Sequence, residues 1–243
     1  MFEKVNILGV EIANLSVNEI VDILIENSKK NNTQCVFTPN SEIIELVRKD
    51  EALLHIINSA DILSADGIGV VYAAKILGNP LKERAAGFDI ATKLLEKGEN
   101  EGLSFFFFGS KDEVAKKAKQ NIEKKYPNIK IVGTRSGYFS DDENIAEEIL
   151  EKNPNIVFVC LGAPKQEKWI YENKEKLKGK ILIGLGGSLD VFAGVAKRAP
   201  DIYIKLNIEW LYRLIKQPTR FIRMLALPKF LMAVIFSNFS NKK

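Results

Sequence analysis

The chain has 243 residues, 46% hydrophobic and 27% charged, with a formal net charge of +4 and a mean hydropathy of −0.05. That length supports one large domain, or one domain with an appendage, and the composition excludes both a disordered chain and a polytopic membrane protein. Two cysteines, Cys35 and Cys160, stand 125 positions apart beside a single histidine, His55. This excludes a disulfide scaffold and a Cys/His zinc cluster and points to a reducing cytoplasm.

The opening MFEKVNILGVEI lacks the basic head, long apolar core and cleavage site of a signal peptide, so the expectation is a protein that is not exported. It contains the first of the strand-like runs VNILGV, CVFT, ILSA, LSFFFFG, IKIVGT, IVFVCLG and ILIGLGG, which alternate with helix-like segments. Several are continuously apolar, as strands covered on both faces by helices must be. The expected fold is therefore α/β: a Rossmann-like, doubly wound, mostly parallel sheet over residues 1–199, with a helical C-terminal appendage over 200–243. The tetrads Ser16–Glu19, Ser110–Glu113 and Ser140–Glu143 have capping-box spacing and mark three expected helix starts.

In an open α/β sheet the ligand crevice forms beyond the carboxyl ends of the strands, so candidates are sought there in chain order. CVFT leads into Pro39-Asn40-Ser41, where Thr38 and Asn40 offer short hydrogen-bonding groups; turn chemistry explains an asparagine there equally well. His55, in the apolar helical stretch ALLHIINSA, reads as an interior or boundary residue and not as a catalyst. ILSA leads into Asp66-Gly67-Ile68-Gly69, where Asp66 is either a helix cap or a functional carboxylate. Gly67 to Tyr72 starts like a dinucleotide fingerprint but carries Tyr at its last small position. LSFFFFG ends on Gly109, a strand-end glycine counted with the substrate-binding candidates, and Tyr138 follows the next strand as a residue that could stack on a base.

IVFVCLG runs into Gly162-Ala163-Pro164-Lys165-Gln166-Glu167, a small-residue turn entering a helix whose free amides suit an anion. ILIGLGG is followed by Gly187-Ser188-Leu189-Asp190, again strand, glycine turn and helix. Cys35 and Cys160 fall inside strand runs and should be inert small hydrophobes. No GxxxxGK[ST] occurs, which excludes a P-loop NTPase, and no DxD occurs to clamp a divalent metal on a nucleotide-sugar diphosphate.

Charge is uneven. From Arg198 onward nine basic residues face two acidic ones, a net +7, leaving the body at −3. Arg213, Lys216, Arg220 and Arg223 recur at helical spacing, and Pro218 should start or kink a further helix. The apolar run Phe230 to Phe236 is far shorter than the roughly 20 residues a spanning helix needs, so the tail is expected to lie on a membrane and not to cross it.

Taken together, TPNSE at Thr38 to Glu42, NSADILSADGIGVVYAAKILG at Asn58 to Gly78, ERAAGFD at Glu83 to Asp89, LGAPKQEKWI at Leu161 to Ile170, GLGGSLDVFAG at Gly184 to Gly194, KRAP at Lys197 to Pro200 and EWLYRLIKQPTR at Glu209 to Arg220 resemble the TagA/WecG/CpsF family, glycosyltransferase family 26. The resemblance implies inverting transfer of N-acetylmannosamine from its UDP conjugate to the N-acetylglucosamine of an undecaprenyl-diphosphate acceptor, forming a β-1,4 link in wall teichoic acid synthesis. It makes Asp66 the base, puts Thr38 and Gln166 in the same active site, and matches Arg213, Arg220 and Arg223 to the family's appendage arginines. Phe88 stands where relatives usually carry a small polar residue, and Leu189 where many carry Phe.

Without a metal motif, diphosphate charge falls to arginines and helix N-termini, and no cofactor is expected. Asn40 joins the acceptor or donor site, Arg84 is a phosphate or sugar ligand, Gly162, Ala163 and Gly187 approach UDP, and Asp190 holds ribose hydroxyls. The expected partners are the donor, the lipid acceptor and an anionic membrane surface on the inner face of the cell membrane, with no nucleic acid; apolar tail residues could also pair subunits into a homo-oligomer. The rivals are transfer of a related sugar such as N-acetylmannosamine uronic acid or a hexose, a dinucleotide-dependent oxidoreductase, and a membrane or nucleic-acid binding module using only the basic tail.

Overall fold

The first apolar run does not join the main sheet. It breaks at Leu8 and Gly9, both at positive φ (+53° and +91°), giving β1 (Lys4–Ile7) and β2 (Val10–Ala13), a separate antiparallel hairpin. Two consecutive left-handed residues make the tight turn whose twist matches paired strands. The computed structural model describes residues 2–140, 143–216 and 226–240.

The other six runs form one parallel sheet: β3 (Gln34–Phe37), β4 (Ile62–Leu63), β5 (Ser104–Gly109), β6 (Lys130–Arg135), β7 (Ile156–Cys160) and β8 (Ile181–Gly184), in the order β4-β3-β8-β7-β5-β6. The phenylalanine run of β5 shows why so apolar a strand is needed. Successive side chains point to opposite faces, so Phe105 and Phe107 join one core layer with Phe158 and Ile183, while Phe106 and Phe108 join the other with Val157 and Val159.

The first layer is covered by α1 (Val17–Lys29), α5 (Gly87–Asn100), α6 (Asp112–Lys125) and α9 (Ser188–Phe192). The second takes α2 (Ser41–Val47), α3 (Glu51–Asn58), α4 (Ile68–Ile76), α7 (Ile145–Lys152), α8 (Lys165–Asn173) and the hairpin. After α9 come α10 (Asp201–Lys205), α11 (Glu209–Lys216) and α12 (Ala226–Ser240). Phe230 and Val234 of α12 are buried in the second layer, packed with residues of α2 and α4, and Asn238 Nδ2 donates to Ile76 O at 2.9 Å. Among the described residues no helix is long and apolar enough to cross a membrane.

One of the three expected capping boxes forms as read: Ser16 Oγ accepts from Glu19 N while Glu19 accepts from Ser16 N. Ser110 is different. At φ +56° it cannot take the extended N-cap conformation, so α6 starts one residue later, after Lys111. Ser140 bonds Glu143, but α7 begins only after Asn144. His55 is exposed, not interior, with its ring edge-on to Tyr171 and Tyr171 Oη 3.3 Å from Nε2.

Candidate active site

Adjacent strands whose following helices lie on opposite faces leave a crevice between them. That happens at every neighbouring pair from β3 to β6, because α9 after β8 and α6 after β5 lie on the first layer while α2 after β3, α8 after β7 and α7 after β6 lie on the second; the β3/β8 and β5/β7 crevices collect the candidates. The six strand ends carry Thr38, Asp66, Gly109, Tyr138, Gly162 and Gly187 or their near neighbours, so the sheet brings the candidates to one edge.

At the β3/β8 crevice, buried Thr38 donates from Oγ1 to Gly184 O at 3.2 Å. Gln166 ties the β7 and β8 loops together: Oε1 accepts from Gly186 N at 2.8 Å and Nε2 donates to Glu167 Oε1 at 2.8 Å. Gln166 is 3% exposed and Glu167 1%. The glutamine therefore shapes the crevice wall through both ends of its carboxamide, while Glu167 Oε2 has no hydrogen-bond partner. Burial pushes the Glu167 carboxyl above its usual value, only partly offset by the bonds from Gln166 and its own amide.

Asp66 is not a helix cap. Gly67 occupies the N-cap of α4 without any side-chain cap bond, and Asp66 Oδ2 instead accepts from Gly87 N at 3.4 Å. Asn40 is the cap: its Oδ1 accepts from Ile43 N at 3.0 Å at the start of α2, so the turn reading accounts for that oxygen. Beside Asp66 stands Arg84. Burial pulls its guanidinium down, but the hydrogen bond to Glu209 and the charges of Glu209, Asp66 and Asp89 outweigh this and hold it above its ordinary value. Asp66 and Arg84 are thus within electrostatic reach of each other.

At the β5/β7 crevice the backbones nearly touch. Ser110 N donates to Cys160 O at 3.2 Å and Gly137 N to Ser110 O at 2.8 Å. A Cβ on Gly109 would stand 2.2 Å from Cys160 O. The left-handed turn that denies Ser110 its cap aims its hydroxyl at Asp190, with Oγ donating to Oδ1 at 2.7 Å. Tyr138 is 74% exposed at the mouth. Lys165, at the first position of α8, reaches over the Phe139 ring at 4.2 Å and donates to Gly137 O at 3.3 Å. Gly162 and Ala163 form the turn ahead of α8, and Gly187 caps α9.

Burial pushes the Cys35 and Cys160 thiols up to about 12, so both stay protonated and inert. Phe88, one of the two departures from the family pattern, stacks on Phe192 at 4.7 Å, and the Arg198 guanidinium lies 4.8 Å from its ring; Leu189 is fully buried. Arg213 lies in α11, whereas Arg220, Arg223 and the expected break at Pro218 lie outside the described residues. Residue-type reasoning missed Glu167, Gly87, Asp89 and Glu209. Each stood in a motif already singled out: Glu167 next to Gln166, Gly87 and Asp89 in ERAAGFD with Arg84, and Glu209 at the head of EWLYRLIKQPTR. Among the described residues no group of three or more His, Cys, Asp or Glu side chains could hold a metal ion.

Residues 5–243 match the family described as the Glycosyl transferase WecG/TagA/CpsF family. The chain is 41% identical over 208 residues to the N-acetylglucosaminyldiphosphoundecaprenol N-acetyl-beta-D-mannosaminyltransferase of Bacillus subtilis (strain 168), spanning 86% of this chain and 81% of that protein. Proteins of the same name from Bacillus spizizenii and Staphylococcus aureus (strain MRSA252) are 38% and 35% identical. These matches cover 82% and 99% of this chain, and 78% and 95% of those proteins.

Proposed function

The chain belongs to the WecG/TagA/CpsF family of glycosyl transferases, and from that premise we propose that it transfers N-acetylmannosamine to undecaprenyl-diphosphate-linked N-acetylglucosamine, with the UDP conjugate as donor. The single observation that carries the chemistry is Asp66: a carboxylate at a strand end that accepts from the Gly87 amide at the start of α5 and whose charge is felt by Arg84.

In this reading Asp66 takes the proton of the acceptor hydroxyl as its oxygen attacks the anomeric carbon from the face opposite UDP. The new C–O bond forms as the bond to UDP breaks, UDP leaves with the electron pair, and an α-linked donor becomes a β-linked product. Thr38 ties the end of β3 to that of β8, and Gln166 ties the β8 loop to the β7 loop, so together they hold the strand ends around the sugar in register. Asn40, whose amide nitrogen is not needed for its capping bond, and Arg84 serve sugar or phosphate. The backbone at Gly109, Gly162, Ala163 and Gly187 lets UDP approach closely, Asp190 faces the ribose, and Tyr138 covers the base.

Departing diphosphate charge falls to Arg213, Arg220 and Arg223 and to the α8 N-terminus, with no metal required. The appendage over 200–243 docks on anionic headgroups at the inner face of the cell membrane, where the lipid acceptor resides. Support comes from exposed Met232, Ile235 and Phe236 on α12 near Lys229. A homo-oligomer would cover the same apolar residues. The test is UDP release from UDP-N-acetylmannosamine with a short-chain lipid-diphosphate N-acetylglucosamine, with and without chelator. Release that needs both substrates and survives chelator is expected. Release equally fast with another UDP-sugar, or abolished by chelator, overturns the donor or the metal-free reading respectively.

A further inference from the structure

A chain of three ion pairs of alternating sign runs through the catalytic body and ends on the first residue of α11 in the appendage. Arg84 Nη1 lies 2.9 Å from Glu209 Oε2, and Arg84 Nη2 lies 3.2 Å from Asp89 Oδ2. Asp89 Oδ1 in turn accepts from Arg198 Nη2. Arg84, Asp89 and Arg198 belong to the body over residues 1–199 and Glu209 to the appendage, so the four read Arg198–Asp89–Arg84–Glu209 with the last pair crossing the junction. The side chains of Arg84 and Glu209 are 14% and 13% exposed, so solvent screens this pair far less than a surface contact.

α11 has eight residues, too few to hold as a helix without tertiary anchors. Ile215 is largely exposed and Trp210 partly so, leaving those apolar side chains incompletely docked. Its first residue is anchored by the ion pair, and Tyr212 packs on Tyr203 of α10 at 5.2 Å. Arg213 follows Glu209 by four residues, one helical turn, so fixing Glu209 fixes where that part of the backbone arrives.

From this arrangement we propose that Glu209 is a positioning residue: its pair with Arg84, backed by Arg198 and Asp89, clamps the start of α11 to the body and so sets how the helix that carries the first of the appendage arginines approaches the departing diphosphate. The inference rests on the reading that those groups neutralise the diphosphate. It goes beyond that reading in assigning the register to a carboxylate that touches no substrate.

The experiment uses the full chain carrying Glu209→Gln, followed by hydrogen exchange at the amides of α11 and by steady-state UDP release. Removing one partner of a desolvated charged hydrogen bond should speed exchange by about tenfold or more and lower kcat/KM by a similar factor. Glu209→Asp, which keeps the charge on a shorter stem, should recover part of both. Unchanged exchange in Glu209→Gln overturns the clamp, whatever turnover does. Faster exchange with unchanged turnover overturns the positioning role. Should Glu209→Gln fail to fold, Arg198→Gln, which opens only the outer pair, must move both readouts together by a smaller factor, and no coupled change refutes the proposal. Arg213→Gln separates this from the reading beneath it: lower turnover with α11 protection intact is expected, and unchanged turnover sinks the reading that the appendage arginines neutralise the diphosphate while leaving the clamp standing.

Discussion

Gly109→Ala probes how the β5/β7 crevice is built. The glycine sits at φ +139°, and a Cβ there would meet Cys160 O at 2.2 Å, Cys160 C at 2.4 Å and Cys160 Cα at 2.7 Å. All three are backbone atoms in a strand paired on both sides, so no side chain can rotate away and β7 itself must move by about 1 Å to reach ordinary contact. Backbone strain at such a φ costs about 1–3 kcal/mol, and the overlap adds about 1–3 kcal/mol more. Gly162→Ala is the control, because φ is again positive (+78°) but nothing lies within 4 Å of the added Cβ. It should carry the strain alone. Denaturant unfolding should therefore separate the two variants by about 1–3 kcal/mol, or roughly 2–12 °C in Tm for a chain of this size. Titration with UDP should show weaker binding for Gly109→Ala, since the Ser110 turn that positions Asp190 shifts with it. Equal stability of the two variants, or unaltered UDP affinity in Gly109→Ala, would refute the claim that close backbone approach forms this crevice.

Asp66→Asn should lower kcat by about 10²–10⁴ while sparing UDP affinity, measured by UDP release and by calorimetry. Phe230→Ala should destabilise the whole chain by about 3–5 kcal/mol in denaturant melts, because that ring is fully buried against α2 and α4; a change confined to activity would contradict the packing. Burial holds the Glu167 carboxyl above the usual carboxylate range in the folded state, so between its ordinary and its raised value the folded chain binds more protons than the unfolded one and stability falls as pH rises. Glu167→Gln should flatten that slope and gain stability over the parent at neutral pH; an unchanged pH–stability curve counts against a raised Glu167. Thr38→Val should cost about 1 kcal/mol by removing the buried bond to Gly184 O, with Thr38→Ser retaining it; equal melts for the two would show that the hydroxyl contributes nothing.

Much of the architecture was legible because burial on both faces leaves a strong mark. Runs such as IVFVCLG and LSFFFFG have no polar alternation, which only a covered parallel sheet tolerates, and their ends pointed to the crevice residues. VNILGV looked like one more such strand, yet Leu8 and Gly9 fold it into a hairpin. Leucine carries no turn signal, so its positive φ was invisible. The capping tetrads misled at Ser110 for a related reason: spacing describes which amides a side chain can reach, but not whether the backbone turns left-handed first.

Asp66 and Asn40 show the same limit at the site. Both types favour helix caps, and local chemistry could not divide the roles; the tertiary structure gives the cap to Asn40 and brings the Gly87 amide to Asp66. What residue order decided is the set of strands, their burial and the edge on which polar side chains collect, because those follow from neighbours a few positions away. What folding alone decided is which carboxylate meets which cation. Arg84 and Glu209 are 125 residues apart, and their pairing depends on how α11 returns across the sheet edge, a geometry no local pattern encodes.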